Sequence, residues 1–480
     1  MVQRDNLLPV AFGGVLISLV MMFAMPFNLL VVGALATFLL GIFGSYYGAG
    51  DAMGRIKSAV ASTEIFAEQI PSQTTHDSED AIDLLESFRR AQEPVKGSRH
   101  EAMKVRLLQS LQRDRNWSSA HPRHRLLDAL YGFQSYYERQ QVELERFRGL
   151  YKHLGRKHKT LLDLHIQYST KFDRVDEHLA LNQRLCDTIV QSALAYYQVP
   201  PQELKKHAAE MLAAGKRADR TSVSQALKHY VRDWSPSGAN ECEETFPALL
   251  GTLETLFPER AELAAPLRVL LPGSGLNRLA HEVARLGGFQ VTANEWSAFM
   301  NVAYRFLETF PDANASVCHP FADTWSHHIT EGDMLRPVRF PEVSLDRGGD
   351  SVLLVEGDFT TVFNHELGSY DVLLTYFFID TARNLMSYFD TIEKLLRPGG
   401  YWINLGPLLY GTGPLVQLSL EEIISITETM GFDYVETDEK YGSLTIPGRT
   451  VRGMRAVYSF DDKALTTSAY KAQFWVARKQ

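Results

Sequence analysis

The chain has 480 residues, of which 45% are hydrophobic and 22% charged, and its formal net charge at pH 7 is −8. This length suffices for about two or three domains with a sizeable core. The negative net charge argues against a nucleic-acid-binding protein, which would carry a basic surface. Three scattered cysteines, with no CxxC pair and no Cys/His cluster, argue against a disulfide framework and a structural zinc site. We therefore expect a reducing compartment and no metal.

The first fifty residues carry a long apolar run. No side chain is charged from Leu7 to Gly50, and the segments 7–24 and 29–48 each approach the roughly 20 apolar residues that span a hydrocarbon core. We predict a membrane hairpin over 1–50. Arg55 and Lys57 follow it and favour a catalytic domain facing the cytosol, in a membrane that the sequence does not name. A cleaved signal peptide and a buried soluble hairpin are the alternatives.

Two further regions precede the nucleotide-binding pattern. Residues 51–120 are polar and acidic and predict a linker. Residues 121–235 show apolar side chains at helical spacing, including "HRLLDALYGFQSYYERQQVELERFRGLYKHL", and predict an all-helical domain.

From 236 to 480 the pattern alternates between strands and helices. "LRVLLP", "FQVTANE", "SVLLVEGDF", "YDVLLTYFFID" and "GYWINLG" predict strands, and amphipathic segments between them predict helices. Such alternation is typical of a parallel sheet with helices on both faces. The predicted fold class is therefore α/β, a Rossmann-like doubly wound sheet. We expect the last segment, "YKAQFWVARK", to add an edge strand.

A glycine turn follows the first of these strands, in "VLLPGSGLNRLA". Gly273 and Gly275 suit a sharp turn with close ligand approach, and Glu295 ends the second strand, where a carboxylate can accept hydrogen bonds from both ribose hydroxyls. Asn277 and Arg278 stand where a dinucleotide fingerprint needs its third glycine, so no pyrophosphate need be accommodated. This favours S-adenosylmethionine as the ligand. A nicotinamide-dependent oxidoreductase is the alternative enzyme, and a membrane-tethered scaffold the non-enzymatic one.

The "EGDF" segment supports the same ligand. Asp358 can meet the adenine amino group and Phe359 can cover the base; the alternative is an exposed turn acid beside a core phenylalanine. "LLRPGGYWINLG" is a helix, turn and buried strand common in class I methyltransferases.

Seven motifs together resemble the carnosine N-methyltransferase family. In chain order they are "VRDWS", "LLPGSGLNRLAHEVA", "NEWSAFM", "LRPVRFPEV", "GDF", "YFFIDTARN" and "RPGGYWINLGPLLY". The resemblance covers about 123–479 and implies an S-adenosylmethionine-dependent enzyme that methylates the imidazole of histidine-containing dipeptides, as in the conversion of carnosine to anserine. It leaves open whether the chain forms a homodimer.

The resemblance also implies roles for particular residues. Arg232 matches an arginine that reaches the methyl donor, whereas His229 stands where the family has a glutamine that contacts the donor. Asp380 matches the acid that holds the substrate, and Tyr458 and Tyr470 match tyrosines of the substrate pocket. Gly273, Gly275, Glu295, Asp358 and Phe359 match the donor pocket.

The sequence leaves open which compound is the acceptor and what role Asp380 plays. Gly411 stands where the family has a histidine that contacts the substrate imidazole, so the acceptor can be a different imidazole compound. Asp380 can orient the imidazole and stabilise its developing positive charge, which would make it the catalytic residue. Its position suits a helix N-cap equally well.

Overall fold

The computed structural model describes residues 99–114, 117–345, 352–411 and 413–480, which belong to one compact unit. The predicted hairpin over 1–50 and most of the linker lie outside these residues. Within the described ranges, none of the helices has both the length and the apolar character needed to cross a bilayer.

Eight helices form the first part of the described chain. Pro122 and Pro201 occupy first-turn positions, where a missing N–H costs nothing, and Asp219 caps a later helix through the N–H of Ser222. The helices are α1 (Arg99–Ser110), α2 (Pro122–Gln134), α3 (Tyr136–Lys152), α4 (Arg156–Ile166), α5 (Tyr168–Tyr196), α6 (Pro201–Ala213), α7 (Arg220–Trp234) and α8 (Ala239–Leu256).

The boundaries of the predicted linker and helical domain need correction. Helix α1 lies inside the predicted linker, and Leu107 and Leu111 are buried in the core although the surrounding sequence is polar. Helix α8 lies beyond residue 235, so helical structure continues into the region predicted to be Rossmann-like.

The second part of the chain is an α/β sheet domain, as predicted. Its strands are β1 (Leu267–Pro272), β2 (Phe289–Glu295), β3 (Ser316–Cys318), β4 (Val338–Phe340), β5 (Val352–Glu356), β6 (Tyr370–Tyr376), β7 (Leu396–Gly406), β8 (Phe432–Val435), β9 (Ser443–Leu444), β10 (Arg452–Val457) and β11 (Ala469–Lys479). Its helices are α9 (Arg278–Arg285), α10 (Ala298–Thr309), α11 (Glu331–Leu335), α12 (Phe359–Val362), α13 (Leu385–Leu395) and α14 (Leu420–Thr429).

The main sheet has the order β5-β2-β1-β6-β7-β11-β10-β9, with β8 also paired to β11. The first five of these strands are parallel. Neighbouring residues of each strand face different cores: Leu270 and Leu373 pack with α13 and α14, whereas Leu271 and Leu374 pack with α9 and α10. Both faces of the sheet are therefore covered, which confirms the doubly wound architecture.

The prediction for the last strand was wrong. Strand β11 is not an edge strand: it runs antiparallel between β7 on one side and β10 and β8 on the other. Phe474, Trp475, Val476 and Ala477 are all buried. Such a continuous apolar run is typical of a strand with neighbours on both sides and cover on both faces.

The order of strands reverses beside β1, whose neighbours are β2 and β6. In open α/β sheets a crevice forms there, at the carboxyl ends of the strands. Helix α7 packs over this end: Trp234 donates its indole N–H to the carbonyl of Leu276 (2.9 Å), and the Tyr230 hydroxyl bonds to the carbonyl of Ala303 (2.7 Å). The fold thus joins the helical block to the glycine turn.

Candidate active site

The glycine turn after β1 has the backbone that the sequence predicts. Gly273 and Gly275 have φ values of +64° and +56°, in the left-handed region that favours glycine. A Cβ on Gly273 would lie 2.3 Å from Cδ2 of Phe378, so the turn also needs a residue without a side chain for space.

The two residues that replace the third glycine have separate structural roles. Asn277 adopts a φ of +62° and precedes helix α9. The Arg278 guanidinium bonds to the backbone carbonyl of Asp233 (3.0 Å) and to the carboxylates of Glu342 and Glu282 (2.7 Å each). Arg278 therefore anchors the turn to helix α7.

Glu295 lies beside the glycine turn. One carboxylate oxygen accepts the N–H of Gly275 (3.0 Å) and the other accepts the N–H of Ser297 (2.7 Å). Burial raises the pKa of Glu295, although these backbone bonds and nearby His229 act in the opposite direction. The carboxylate is thus held in place at the end of β2, and its four lone-pair sites leave capacity for further donors.

Helix α7 contributes a charged cluster to the same crevice. Arg232 is buried, with its Nε 3.2 Å from a Glu241 oxygen and 3.7 Å from an Asp233 oxygen. His229 Nδ1 lies 3.3 Å from the other Asp233 oxygen. Burial would raise the pKa of Asp233, but Arg232 and His229 outweigh it and lower the pKa. At neutral pH the crevice therefore presents a fixed cation flanked by two acids.

Aromatic rings form a wall next to this cluster. The Arg232 guanidinium lies 4.4 Å from the ring centre of Tyr458, which stacks on Phe377 at 5.2 Å. Tyr470 approaches both rings, at 6.2 Å from Tyr458 and 5.8 Å from Phe377. Burial raises the pKa of Tyr458, so its hydroxyl stays protonated at neutral pH. The structure brings the two predicted substrate tyrosines together.

Phe377 reaches this wall through an unusual backbone. Its φ is +50°, a strained conformation for a bulky residue, and its N–H bonds to the carbonyl of Leu405 (2.9 Å). A Cβ on Gly406 would lie 3.1 Å from the Phe377 backbone, so a side chain there would press on this turn. The chain thus turns sharply after β6, immediately before Asp380.

Asp380 lies in a short 3-10 turn after β6. Its Oδ2 accepts the N–H of Leu409, in the segment that follows β7, at 3.1 Å. Burial raises its pKa to about 6, against the opposing effect of that N–H. The N-cap alternative was wrong, because helix α13 begins at Leu385 and its N-cap residue is Asn384.

The "EGDF" residues lie at the end of β5. Asp358 is exposed and caps α12 by accepting the Thr360 N–H (2.9 Å), whereas Phe359 is 3% exposed and packs edge-on against Phe378 and Tyr388. A cavity of about 970 Å³ reaches Asp358 and Trp296. The acid therefore faces open space while the ring is largely enclosed.

Gly411 follows the "GPLLY" segment and is exposed. No heavy atom lies within 4 Å of a Cβ built there, so the fold itself does not demand a glycine at this position.

Comparisons with known proteins bear on this arrangement. The carnosine N-methyltransferase family model matches residues 210–480. The carnosine N-methyltransferase of Schizosaccharomyces pombe is 30% identical over 74% of this chain and 95% of its own length, and that of Mus musculus is 30% identical over 65% and 76%. The chain belongs to the carnosine N-methyltransferase family.

A solved structure gives a weaker likeness. Haemonchus contortus phosphoethanolamine N-methyltransferase 2, with phosphomonomethylethanolamine and S-adenosylhomocysteine, is 15% identical over 54% of this chain and 59% of its own, with a TM-score of 0.33. The fold assignment rests on the strand order and not on this likeness.

Family membership settles the class of protein. The chain is an S-adenosylmethionine-dependent N-methyltransferase, as the family resemblance implied, and the methyl donor is the ligand that the glycine turn and Glu295 favoured. The oxidoreductase and scaffold alternatives are left without support.

Sequence reasoning missed three residues of this methyltransferase site. Glu241 accepts the N–H groups of Ser459 and Phe460 (2.8 Å each) while it faces Arg232. Asp233 follows Arg232 directly in "VRDWS", so the motif held a signal for it. Glu241 had none, because it sits in a helix outside these motifs. Phe377 lies in "YFFIDTARN", but its positive φ and its stacking on Tyr458 are not encoded in that pattern.

Proposed function

We propose that this methyltransferase transfers the methyl group of S-adenosylmethionine to an imidazole nitrogen of a histidine-containing dipeptide, such as carnosine to give anserine, or of a related compound. The observation that carries the proposal is the buried carboxylate of Asp380 at the carboxyl end of β6, close in sequence to the aromatic wall. The relatives named carnosine N-methyltransferase support the acceptor class.

The donor would occupy the crevice at the glycine turn. We assign Glu295 to the two ribose hydroxyls, since one of its oxygens already accepts the N–H of Gly275 in the turn. Asp358 and Phe359 are assigned to the adenine. The side of Phe359 available to a base is small, so Asp358 carries more of this assignment.

Helix α7 would hold the other end of the donor. Arg232 is the natural partner of the donor's carboxylate, because a guanidinium can bind a carboxylate through two parallel hydrogen bonds. His229, near Glu295 and Asp233, replaces the family's glutamine as a hydrogen-bonding side chain at the turn. We include both among the donor-binding residues.

The acceptor would meet Asp380 with the tyrosine pair beside it. Displacement at the sulfonium methyl needs a neutral imidazole nitrogen in line with the methyl and sulfur, and such orientation can be worth roughly 7–11 kcal/mol. Asp380 can accept the imidazole N–H, which directs the lone pair of the other nitrogen to the methyl. As the ring becomes cationic, the same carboxylate would stabilise it. Tyr458 and Tyr470 would line the pocket.

Gly411 leaves the choice of acceptor wider than in relatives with histidine there. The open space around it would admit a larger imidazole compound. The test is incubation with labelled S-adenosylmethionine and a panel of imidazole dipeptides, free histidine and histidine peptides. We expect label in at least one of these; a protein that binds the donor but labels none would overturn the proposal.

We further propose that the N-terminal apolar segments attach the chain to a membrane, with the catalytic domain facing the cytosol. The charge-free run from Leu7 to Gly50 supports this. Fractionation would compare the full chain with a version that starts after Lys57. If both remain soluble after a carbonate wash, the chain has no membrane anchor. A homodimer stays a proposal, to be tested by measuring the mass of the protein in solution.

A further inference from the structure

Two histidines and an aspartate meet between helices α2 and α6, outside the crevice of the glycine turn. His124 and Asp128 are four residues apart and share one face of α2, while His207 comes from α6. His124 Nδ1 lies 3.0 Å from one Asp128 oxygen, and His207 Nε2 lies 2.7 Å from the other. The fold therefore gathers three side chains that are far apart in the sequence.

The three groups have the chemistry and spacing of metal ligands. Their nearest ligand atoms all lie within 4.8 Å of one another. Ligands of a tetrahedral zinc ion, with bonds of about 2.0–2.1 Å, lie about 3.3 Å apart. A cation could enter only if the three side chains shifted from their present hydrogen-bonded arrangement towards this spacing. The ring centres of His124 and His207 are 4.9 Å apart, and each ring already directs a nitrogen to the carboxylate of Asp128.

The surroundings suit a divalent cation with one open position. The His207 side chain is 3% exposed, that of His124 16% and that of Asp128 33%, so the cluster is anchored inside and opens to water at the aspartate. Arg123 is already bound to Glu203, one turn before His207, through Nε at 2.8 Å. Its charge is therefore compensated and does not oppose a cation.

We propose that His124, Asp128 and His207 bind a zinc ion, with water as the fourth ligand, and that this ion fixes α2 to α6. Two imidazoles and a carboxylate are a set that zinc accepts, and an imidazole–carboxylate environment disfavours Mg²⁺ and Ca²⁺. Helix α2 also carries Arg125, which donates to the carbonyl of Trp296 next to Glu295 (3.1 Å). The ion would thus brace a helix that contacts the methyltransferase site without taking part in its chemistry.

The same distances fit a cluster held by hydrogen bonds alone. A measurement of zinc binding distinguishes that cluster from a metal site. Untagged full-length protein is stripped with a chelator, incubated with zinc, freed of excess ion and analysed for zinc per chain; cobalt substitution then reports the ligand geometry from its visible spectrum. We expect one zinc per chain and a higher melting temperature with zinc. Protein that retains no zinc would overturn the proposal.

Variants locate the ion. Asp128→Asn and His207→Gln should weaken zinc binding at least about tenfold, since loss of even an outer-shell partner typically costs 10–100-fold. His165→Gln is the matched control, because His165 is exposed on α4. Circular dichroism verifies that each variant is folded. If His207→Gln does not fold, His124→Gln replaces it, because His124 is the more exposed of the two histidines. Folded ligand variants that bind zinc as tightly as the control would refute the site.

Discussion

Asp380→Asn separates the catalytic role of this side chain from a structural one. The amide keeps the size of the carboxylate, and its carbonyl can still accept the Leu409 N–H at the position now 3.1 Å away. What disappears is the negative charge, and with it a group that can only accept hydrogen bonds from the acceptor imidazole. We expect turnover to fall by roughly 10²–10³, the scale for removal of one electrostatic stabiliser.

The same substitution should not weaken the fold. Burial raises the pKa of Asp380 from 3.8 to about 6. Because the folded-state pKa lies above the unfolded value, the ionised carboxylate opposes folding at pH 7, by up to about 3 kcal/mol at 1.36 kcal/mol per unit. Asparagine removes that cost. The melting temperature at pH 7 should therefore stay the same or rise while activity falls.

The pH dependence gives a second readout. For the natural protein, this group makes folding more favourable as pH falls from 7 through 6 towards 4, and that slope should vanish in Asp380→Asn. The turnover number should decline below about pH 6 as the carboxylate is protonated. The acceptor imidazole, which must be neutral and ordinarily titrates at about pH 6.5, adds a decline of its own, so the acid limb of the variant should be shallower than that of the natural protein. Methyl transfer, donor affinity and melting measured across pH test this. Full activity in Asp380→Asn, with an unchanged acid limb, would refute the reasoning.

Three further substitutions test the surrounding site. Glu295→Gln should weaken donor binding by roughly 1.5–3 kcal/mol in calorimetry, the range for a hydrogen bond to a charged group, and an unchanged dissociation constant would contradict the ribose assignment. Gly273→Ala should lower the melting temperature and abolish donor binding, because its Cβ would lie 2.3 Å from a ring carbon of Phe378. Gly215→Ala is the control for backbone strain alone, since Gly215 has a φ of +70° but open space around it. Equal losses in both variants would show that the contact with the ring is unimportant. Glu241→Gln should raise the acceptor KM more than the donor dissociation constant, since Glu241 holds the segment next to Tyr458. Glu243→Gln is the control, because Glu243 is exposed on the same helix. Identical kinetics in the two variants would argue against this role of Glu241.

The carboxyl-terminal edge of the sheet was predictable because its signals are local. Gly273 and Glu295 each end a strand of alternating or continuous apolar residues, and parallel strands bring their carboxyl ends to one edge. The position of β11 was missed although the buried run from Phe474 to Ala477 indicated a strand covered on both faces. Strand length and composition alone do not identify a strand's neighbours.

The parts of the site that come from helices were harder to predict. Glu241 reaches Arg232 and the segment after β10 only because α8 docks against the sheet, and no local pattern encodes that docking. The same holds for His207, whose approach to Asp128 joins residues 79 apart. A search of the sequence for short metal motifs could not find such a cluster.

The central claim is that the methyl group goes to an imidazole nitrogen. The most direct measurement uses S-adenosylmethionine carrying a ¹³C-labelled methyl group, with carnosine or the best acceptor of the panel, and follows the product by NMR. The account predicts a labelled methyl on a ring nitrogen, formed in equal amount with S-adenosylhomocysteine and formed roughly 10²–10³-fold more slowly by Asp380→Asn. Label on a carboxylate or amine, or no transfer to any imidazole compound by protein that binds the donor, would contradict it.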